Sequence, residues 1–268
     1  MTIGTIEDTI EQAAFPFLEH LIHLFVGGSE LHGAKVKGTD DTDIYGLFIE
    51  PPDKILGLEH FEHFVWSTSN NEERNMSDDI DITLYSLRKW AGMAMKGNPT
   101  ALHFLFARNQ FIHSNSPRAI FWGELCYKMK ELVIAKSASR QFMGFVDAQM
   151  GRLLGTRGIG KKGQRPELEN KFGYDVKAGM HSVRLLNECI ELMSRHEITL
   201  PRPEKEELIA IRSGNWSLSA LKLRVDELFI ELQAERDKSS LPEEPDRAAV
   251  SQLVTQTYLD YWKRMDFC

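Results

Sequence analysis

The chain has 268 residues, 42% of them hydrophobic, and carries 32 Lys plus Arg against 39 Asp plus Glu, a formal net charge of −7. That length suits two small domains, and the apolar fraction supplies a core that needs no disulfide staples. The acidic balance argues against a surface that grips nucleic acid all over, and the absence of any run of about 18 uncharged apolar residues argues against a spanning helix. The opening MTIGTIEDTIEQAAFPF has acids where a signal peptide would be basic or apolar. Cys126, Cys189 and Cys268 stand far apart with no CxxC pair, which fits a reducing compartment, so the chain reads as cytosolic.

In chain order, a short amphipathic opening leads to Leu21–Val26, an apolar run of strand length ended by Gly27, Gly28 and Ser29. Ile44–Ile49 is a second such run, stopped by Pro51 and Pro52, and His63–Ser67 a third. Ile80–Leu84 alternates at period two and is the best-marked strand. Leu87–Lys96 reads as a helix closed by Gly97, with Asn98 capping another that begins at Pro99. Beyond Pro117 the pattern is helical: Ala119–Ala135, Arg140–Leu154, one long helix Glu167–Met193, then Leu218–Arg236. Asp237–Pro245 reads as a linker before a last helix, Ala248–Arg264. The expectation is an α+β chain, with an α/β domain over residues 1–112 and a helical domain over residues 113–268.

The informative stretch is Val26-Gly-Gly-Ser-Glu-Leu-His-Gly33 followed by Gly38-Thr-Asp-Asp-Thr-Asp-Ile-Tyr-Gly46. Residues two apart on a strand face the same side, so Asp41 and Asp43 point together. Two close carboxylates repel unless a cation lies between them, and Mg²⁺ suits oxygen ligands shared with substrate phosphates. Gly28 and Ser29, at a tight turn, offer N–H groups and a hydroxyl for a terminal phosphate. A third carboxylate would complete a two-metal site. The strand at Ile80 offers Asp79 and Asp81 on one face, and Asp81, deeper in the apolar run, is the better candidate.

Two further features stand out. Tyr174, Lys177, His181 and Arg184 are spaced three, four and three, one stripe on a helix, and two cations, a His and a Tyr there suit a triphosphate and a base. From Arg152 to Arg165 the chain is basic with no acid, and its Gly-rich core Gly155–Gly163 reads as a mobile loop. Arg157, Lys161, Lys162 and Arg165 are therefore candidate contacts to a polyanion such as RNA. The pairs His20/His23 and His60/His63 have ligand-like spacing but no HExxH frame, and read as ordinary residues.

The Gly-Ser turn, the Asp-x-Asp pair and the later strand acid resemble the signature of DNA polymerase β-like nucleotidyltransferases. The chain is most similar to the bacterial and phage predicted nucleotidyltransferases associated with RNA repair. The likeness runs through Gly28-Ser29 with Gly33, Asp41-Thr-Asp43 with Gly46, Asp79 to Lys89, Lys96-Gly-Asn-Pro99, Lys171-Phe-Gly-Tyr-Asp175, His181-Ser-Val-Arg-Leu-Leu186 and Pro201-Arg-Pro203. The last ~30 residues carry none of it. The resemblance implies a mixed sheet flanked by helices in the first domain. It also implies transfer of a nucleoside monophosphate from an NTP, dependent on Mg²⁺ or Mn²⁺ held by Asp41, Asp43 and Asp81.

An RNA 3′ end, tRNA among the candidates, is the favoured acceptor. A protein side chain is the alternative, and a non-catalytic nucleotide-binding module a third reading that the intact acids disfavour.

Overall fold

The computed structural model describes residues 3–36, 41–69, 79–112, 115–154 and 165–265. In chain order the elements are α1 (Ile3–Gln12), β1 (Leu21–Val26), the one-turn α2 (Gly28–Leu31), β2 (Thr42–Phe48), α3 (Pro52–Leu56), β3 (His63–Ser67) and β4 (Ile80–Ser86). There follow α4 (Leu87–Ala94), α5 (Pro99–Phe106), α6 (Pro117–Val133), α7 (Ala138–Leu153) and α8 (Pro166–Phe172). The last are α9 (Val176–Arg195), α10 (Lys205–Arg212), α11 (Leu218–Lys238) and α12 (Arg247–Arg264). The architecture is α+β, with a mixed sheet followed by a helical region.

The four strands lie in the order β1-β2-β4-β3. β1 and β2 are antiparallel, β2 and β4 parallel, and β3 pairs antiparallel with β4. Period-two alternation divides the side chains between two cores. Leu24, Val26, Ile44, Phe48, Ile82 and Leu84 pack on one face with Ile6 and Ile10 of α1. On the other face Phe25, Leu47, Tyr45 and Tyr85 join a larger core of helical side chains that runs through Trp90, Phe104, Phe142, Leu186 and Leu228. Asp43 stands two residues before Tyr45, and Asp81 four before Tyr85, so both acids project toward the helices.

The helix starts follow their capping residues. Ser86, Asn98, Ser116, Asp175, Ser217 and Asp246 each accept a backbone N–H of the first turn, an interaction worth about 1 kcal/mol apiece. The long helix expected over Glu167–Met193 is two helices. Gly173, at φ 81°, ends α8 in the left-handed region, and the Asp175 carboxylate caps α9 through Ala178 N at 3.0 Å. α10 has no counterpart among the expected elements.

Asp237–Pro245, expected as a linker, is tied down: Lys136 N donates to Pro242 O at 2.9 Å and Ser137 N to Glu243 O at 3.0 Å. α12 packs against α6 and α4, with its aromatic side on Glu50 just after β2. Tyr258 donates its hydroxyl proton to Glu50, and Trp262 Nε1 donates to the Glu50 carbonyl at 2.8 Å. No described helix is long and apolar enough to cross a membrane.

Candidate active site

A cavity of about 280 Å³ opens where the sheet meets α9. Its sheet side is formed by Gly27, Gly28, Ser29, Asp41 and Asp43, its base by Phe25 and Tyr45, and its helical side by Thr100, His103, Lys177, Met180, His181 and Arg184. Asp41 immediately precedes β2, and Asp43 is that strand's second residue. Asp43 and Asp81 are register partners across the parallel β2–β4 pair.

Two glycines shape the turn that faces these acids. Gly27 donates its N–H to the Asp43 carbonyl at 2.8 Å, and the Tyr45 ring covers it so closely that a Cβ there would lie 2.2 Å from Cδ2. Gly28 sits at φ 57°, and a Cβ on it would fall 2.0 Å from Asp43 Oδ2. A left-handed backbone and a carboxylate pressed against it both demand glycine. The Asp43 side chain and the Gly28–Ser29 turn thus share one small space.

Asp79 sits differently from Asp81. Its carboxylate accepts from Thr68 Oγ1 at 3.2 Å, and its carbonyl accepts from Thr42 N at 2.8 Å. Its side chain is engaged beside the end of β3, while Asp81 lies in register with Asp43.

Lys177, His181 and Arg184 rise from one face of α9 into the cavity, as their spacing predicts. Tyr174 does not join them. It lies before the cap of α9, is 3% exposed, and donates its hydroxyl to Trp216 O at 2.9 Å, away from the cavity lining. The break at Gly173 rotates it off the stripe. His181 is also not a cation: burial lowers its pKa well below the usual value, and Arg184, Lys177, Arg165 and Arg212 push it the same way. It offers a neutral imidazole whose buried Nδ1 has no hydrogen-bond partner among the described residues.

Of the basic candidates, Arg165 pairs with the buried Asp175 carboxylate at 3.0 Å. Arg157, Lys161 and Lys162, with the Gly155–Gly163 loop, lie outside the described residues.

Two donor sets test the fit of a metal. Asp41, Asp43 and Asp81 supply carboxylate oxygens only, the hard donors that suit Mg²⁺ or Mn²⁺, with Asp41 and Asp43 in the cavity lining and Asp81 beside Asp43 on the next strand; their ligand atoms are not gathered within 4.8 Å of one another. The second, which sequence reasoning missed, is His32, His103 and Glu188, whose ligand atoms lie within 4.8 Å of one another. Arg184 already supplies a cation there, with Nη1 2.8 Å from Glu188 Oε1 and 3.1 Å from His32 Nε2. Its three members are far apart in sequence, and no local spacing announces them. His20, His23, His60 and His63 join no metal-ligating group among the described residues. His23 is fully buried and stacked on Trp122, with ring centroids 4.8 Å apart.

Comparison with known proteins adds three findings. A segment of 78 residues is 36% identical to the "Uncharacterized 38.9 kDa protein in nrdC-mobD intergenic region" of Enterobacteria phage T4, covering 29% of this chain and 23% of the phage protein's length. A solved nucleotidyltransferase-like protein from Exiguobacterium sibiricum 255-15 aligns over 97% of this chain and 92% of its own, at 14% identity. The TM-score is 0.30, too low to equate the two structures. Residues 4–256 match the RNA repair pathway DNA polymerase beta family, RlaP, which takes in both the sheet that carries the acids and the helices that face them. By that match the chain belongs to the RNA repair pathway DNA polymerase beta family.

Proposed function

We propose that the chain transfers a nucleoside monophosphate from an NTP to an acceptor hydroxyl, with Asp41, Asp43 and Asp81 as its metal-binding carboxylates. The observation that carries this reading is the placing of Asp41 and Asp43 across a cavity from the cationic face of α9, with Asp81 in register with Asp43 on the adjacent strand. Bound Mg²⁺ or Mn²⁺ would polarise the α-phosphate and lower the acceptor hydroxyl's pKa for in-line attack. Asp41 and Asp43 would hold both ions, and Asp81 would complete the second position. The Gly28–Ser29 turn would orient the terminal phosphates through its N–H groups and the Ser29 hydroxyl. Lys177 and Arg184 would balance the charge that develops on the leaving pyrophosphate. Neutral His181 would serve as a hydrogen-bond partner to sugar or phosphate, not as a counter-charge. Tyr174 has no part in this arrangement.

For the acceptor we favour an RNA 3′ end, with tRNA a candidate. The family's description names RNA repair, and Arg157, Lys161, Lys162 and Arg165 form a basic stretch within an otherwise acidic chain. The net charge of −7 supports the second reading, a protein side chain as acceptor. Incubating the protein with each α-³²P-labelled NTP, Mg²⁺ or Mn²⁺, and separated RNA and protein fractions of a cell extract distinguishes them. Label on RNA that is removed by ribonuclease supports the first. Label on polypeptide that resists ribonuclease moves the acceptor to the second.

A further inference from the structure

A buried polar cluster that spans three elements forms part of the cavity wall, with Glu188 behind His32, His103 and Arg184. Glu188 on α9 is fully buried, and Arg184, His32 and His103 are 9%, 6% and 6% exposed. Glu188 Oε1 accepts from Arg184 Nη1 at 2.8 Å, and Oε2 lies 3.1 Å from His103 Nε2 on α5. His32 Nδ1 is 3.2 Å from Glu188 Oε1, and His32 Nε2 is 3.1 Å from Arg184 Nη1. Burial alone would raise the pKa of Glu188, but Arg184, His103 and His32 outweigh it and hold the carboxyl well below its usual range. Burial, reinforced by Arg184, lowers the pKa of His32 well below its usual value. The cluster is a carboxylate–guanidinium pair flanked by two imidazoles.

Its position gives it a use. His32 caps the end of α2, the turn that begins with Gly28 and Ser29. The His32 carbonyl accepts from Arg202 N at 3.1 Å, and Arg202 is paired with Glu191 on α9 at 2.6 Å and with Glu204 at 2.9 Å. Both the turn and Arg184 are thus tied to the same stretch of α9, at Glu188 and Glu191. An unpinned arginine carries rotamer entropy that binding would have to overcome; one already fixed by a buried partner presents its charge pre-oriented.

We propose that Glu188 is a positioning residue that fixes the Arg184 guanidinium at a set place relative to the Gly28–Ser29 turn, so that both grip one polyphosphate chain. This rests on the reading of the cavity as an NTP site. Glu188 touches no substrate and acts through Arg184 and His32.

The test is a double-mutant cycle on binding, with an NTP analogue bearing a methylene bridge between its α and β phosphorus atoms, in Mg²⁺, and the matching nucleoside monophosphate as control. In the wild-type background Arg184→Ala should weaken analogue binding roughly ten- to a hundredfold, as expected for losing a charge-assisted hydrogen bond, and monophosphate binding far less. In the Glu188→Gln background the same Arg184→Ala change should alter analogue binding by less than about threefold, since the guanidinium is no longer held in place. An undiminished Arg184→Ala effect in that background overturns the proposal, as does the absence of any effect in the wild type. Asp43→Asn, run in parallel, separates the two levels. Its loss of Mg²⁺-dependent analogue binding keeps the nucleotide site even if Glu188 proves silent, while failure of the wild-type protein to bind the analogue overturns both. Should Glu188→Gln not fold, Glu188→Asp keeps the charge and withdraws the carboxylate, and the Arg184→Ala effect should shrink there too; an unchanged effect again overturns the proposal.

Discussion

Asp43 and Asp81 stand opposite each other at one level of the parallel β2–β4 pair, in a sheet whose two other pairings are antiparallel. The parallel pairing brings to one level two aspartates 38 positions apart in the chain. Asp79, also on offer from the sequence, is engaged with Thr68 instead. The two acids should therefore separate functionally. Asp81→Asn is expected to cut nucleotidyl transfer by on the order of 10²–10³, the scale of losing one electrostatic stabiliser of a transition state. Asp79→Asn should leave transfer within about threefold of wild type on the same scale, since its surroundings are those of a strand-end residue. Initial rates at saturating NTP for the two variants decide it, and equal losses would remove the basis for choosing Asp81.

Gly28 leaves no room for a side chain beside Asp43. A methyl group at Gly28 would meet Asp43 Oδ2 and force a residue with a Cβ to hold φ 57°. Gly28→Ala should cost about 1–2 kcal/mol in backbone strain and displace the Asp43 carboxylate. The expected outcome is a folded protein of slightly lower Tm whose affinity for Mn²⁺, followed by water proton relaxation, is reduced. Unchanged Mn²⁺ affinity would mean that the carboxylate pressed against Gly28 is not a ligand.

Tyr174 supplies a contrast between a polar residue in the site and one in the core. Its hydroxyl bonds the Trp216 carbonyl, joining the start of α9 to the turn before α11. Tyr174→Phe should lower stability by about 1 kcal/mol, the net value of a hydrogen bond, and leave nucleotide affinity untouched. Denaturant unfolding paired with a binding titration measures both. A weakened affinity without a stability change would restore the tyrosine to the nucleotide site.

His23 makes the stability depend on pH. Burial, opposed weakly by the Phe104 backbone, pushes its pKa from 6.5 down to about 3. Between those values the unfolded chain binds a proton at His23 that the folded chain refuses, so stability falls as pH falls through that window. This one group should remove about 2 kcal/mol between pH 7 and pH 5. His23→Phe, which keeps a ring against Trp122, should flatten that loss relative to wild type in unfolding curves at the two pH values. Parallel losses in both proteins would contradict it.

The elements that carry the site were readable wherever a local pattern sufficed. Alternation marked β4 and placed Asp81 on the face opposite Ile80 and Ile82, and the glycines at 27 and 28 marked the turn. Asn98 and Pro99 announced α5 through a cap and a fixed φ. Periodicity fails where a break does not interrupt it: the apolar spacing continues through Gly173, so α8 and α9 read as one helix and Tyr174 falls on its polar stripe, whereas the left-handed Gly173 turns it toward Trp216. The group of His32, His103 and Glu188 was invisible for a different reason. It exists only once α2, α5 and α9 pack together, and a lone histidine on an apolar helix carries no mark of what it will meet.

The most direct measurement is nucleotidyl transfer by wild type and Asp43→Asn, compared with α-labelled NTP, Mg²⁺ and extract RNA after both proteins are matched by circular dichroism and Tm. The account predicts labelled RNA with the wild type, and loss of at least about 10²-fold with the variant at unchanged fold. Transfer by Asp43→Asn at the wild-type rate would contradict it and remove the carboxylates from the chemistry.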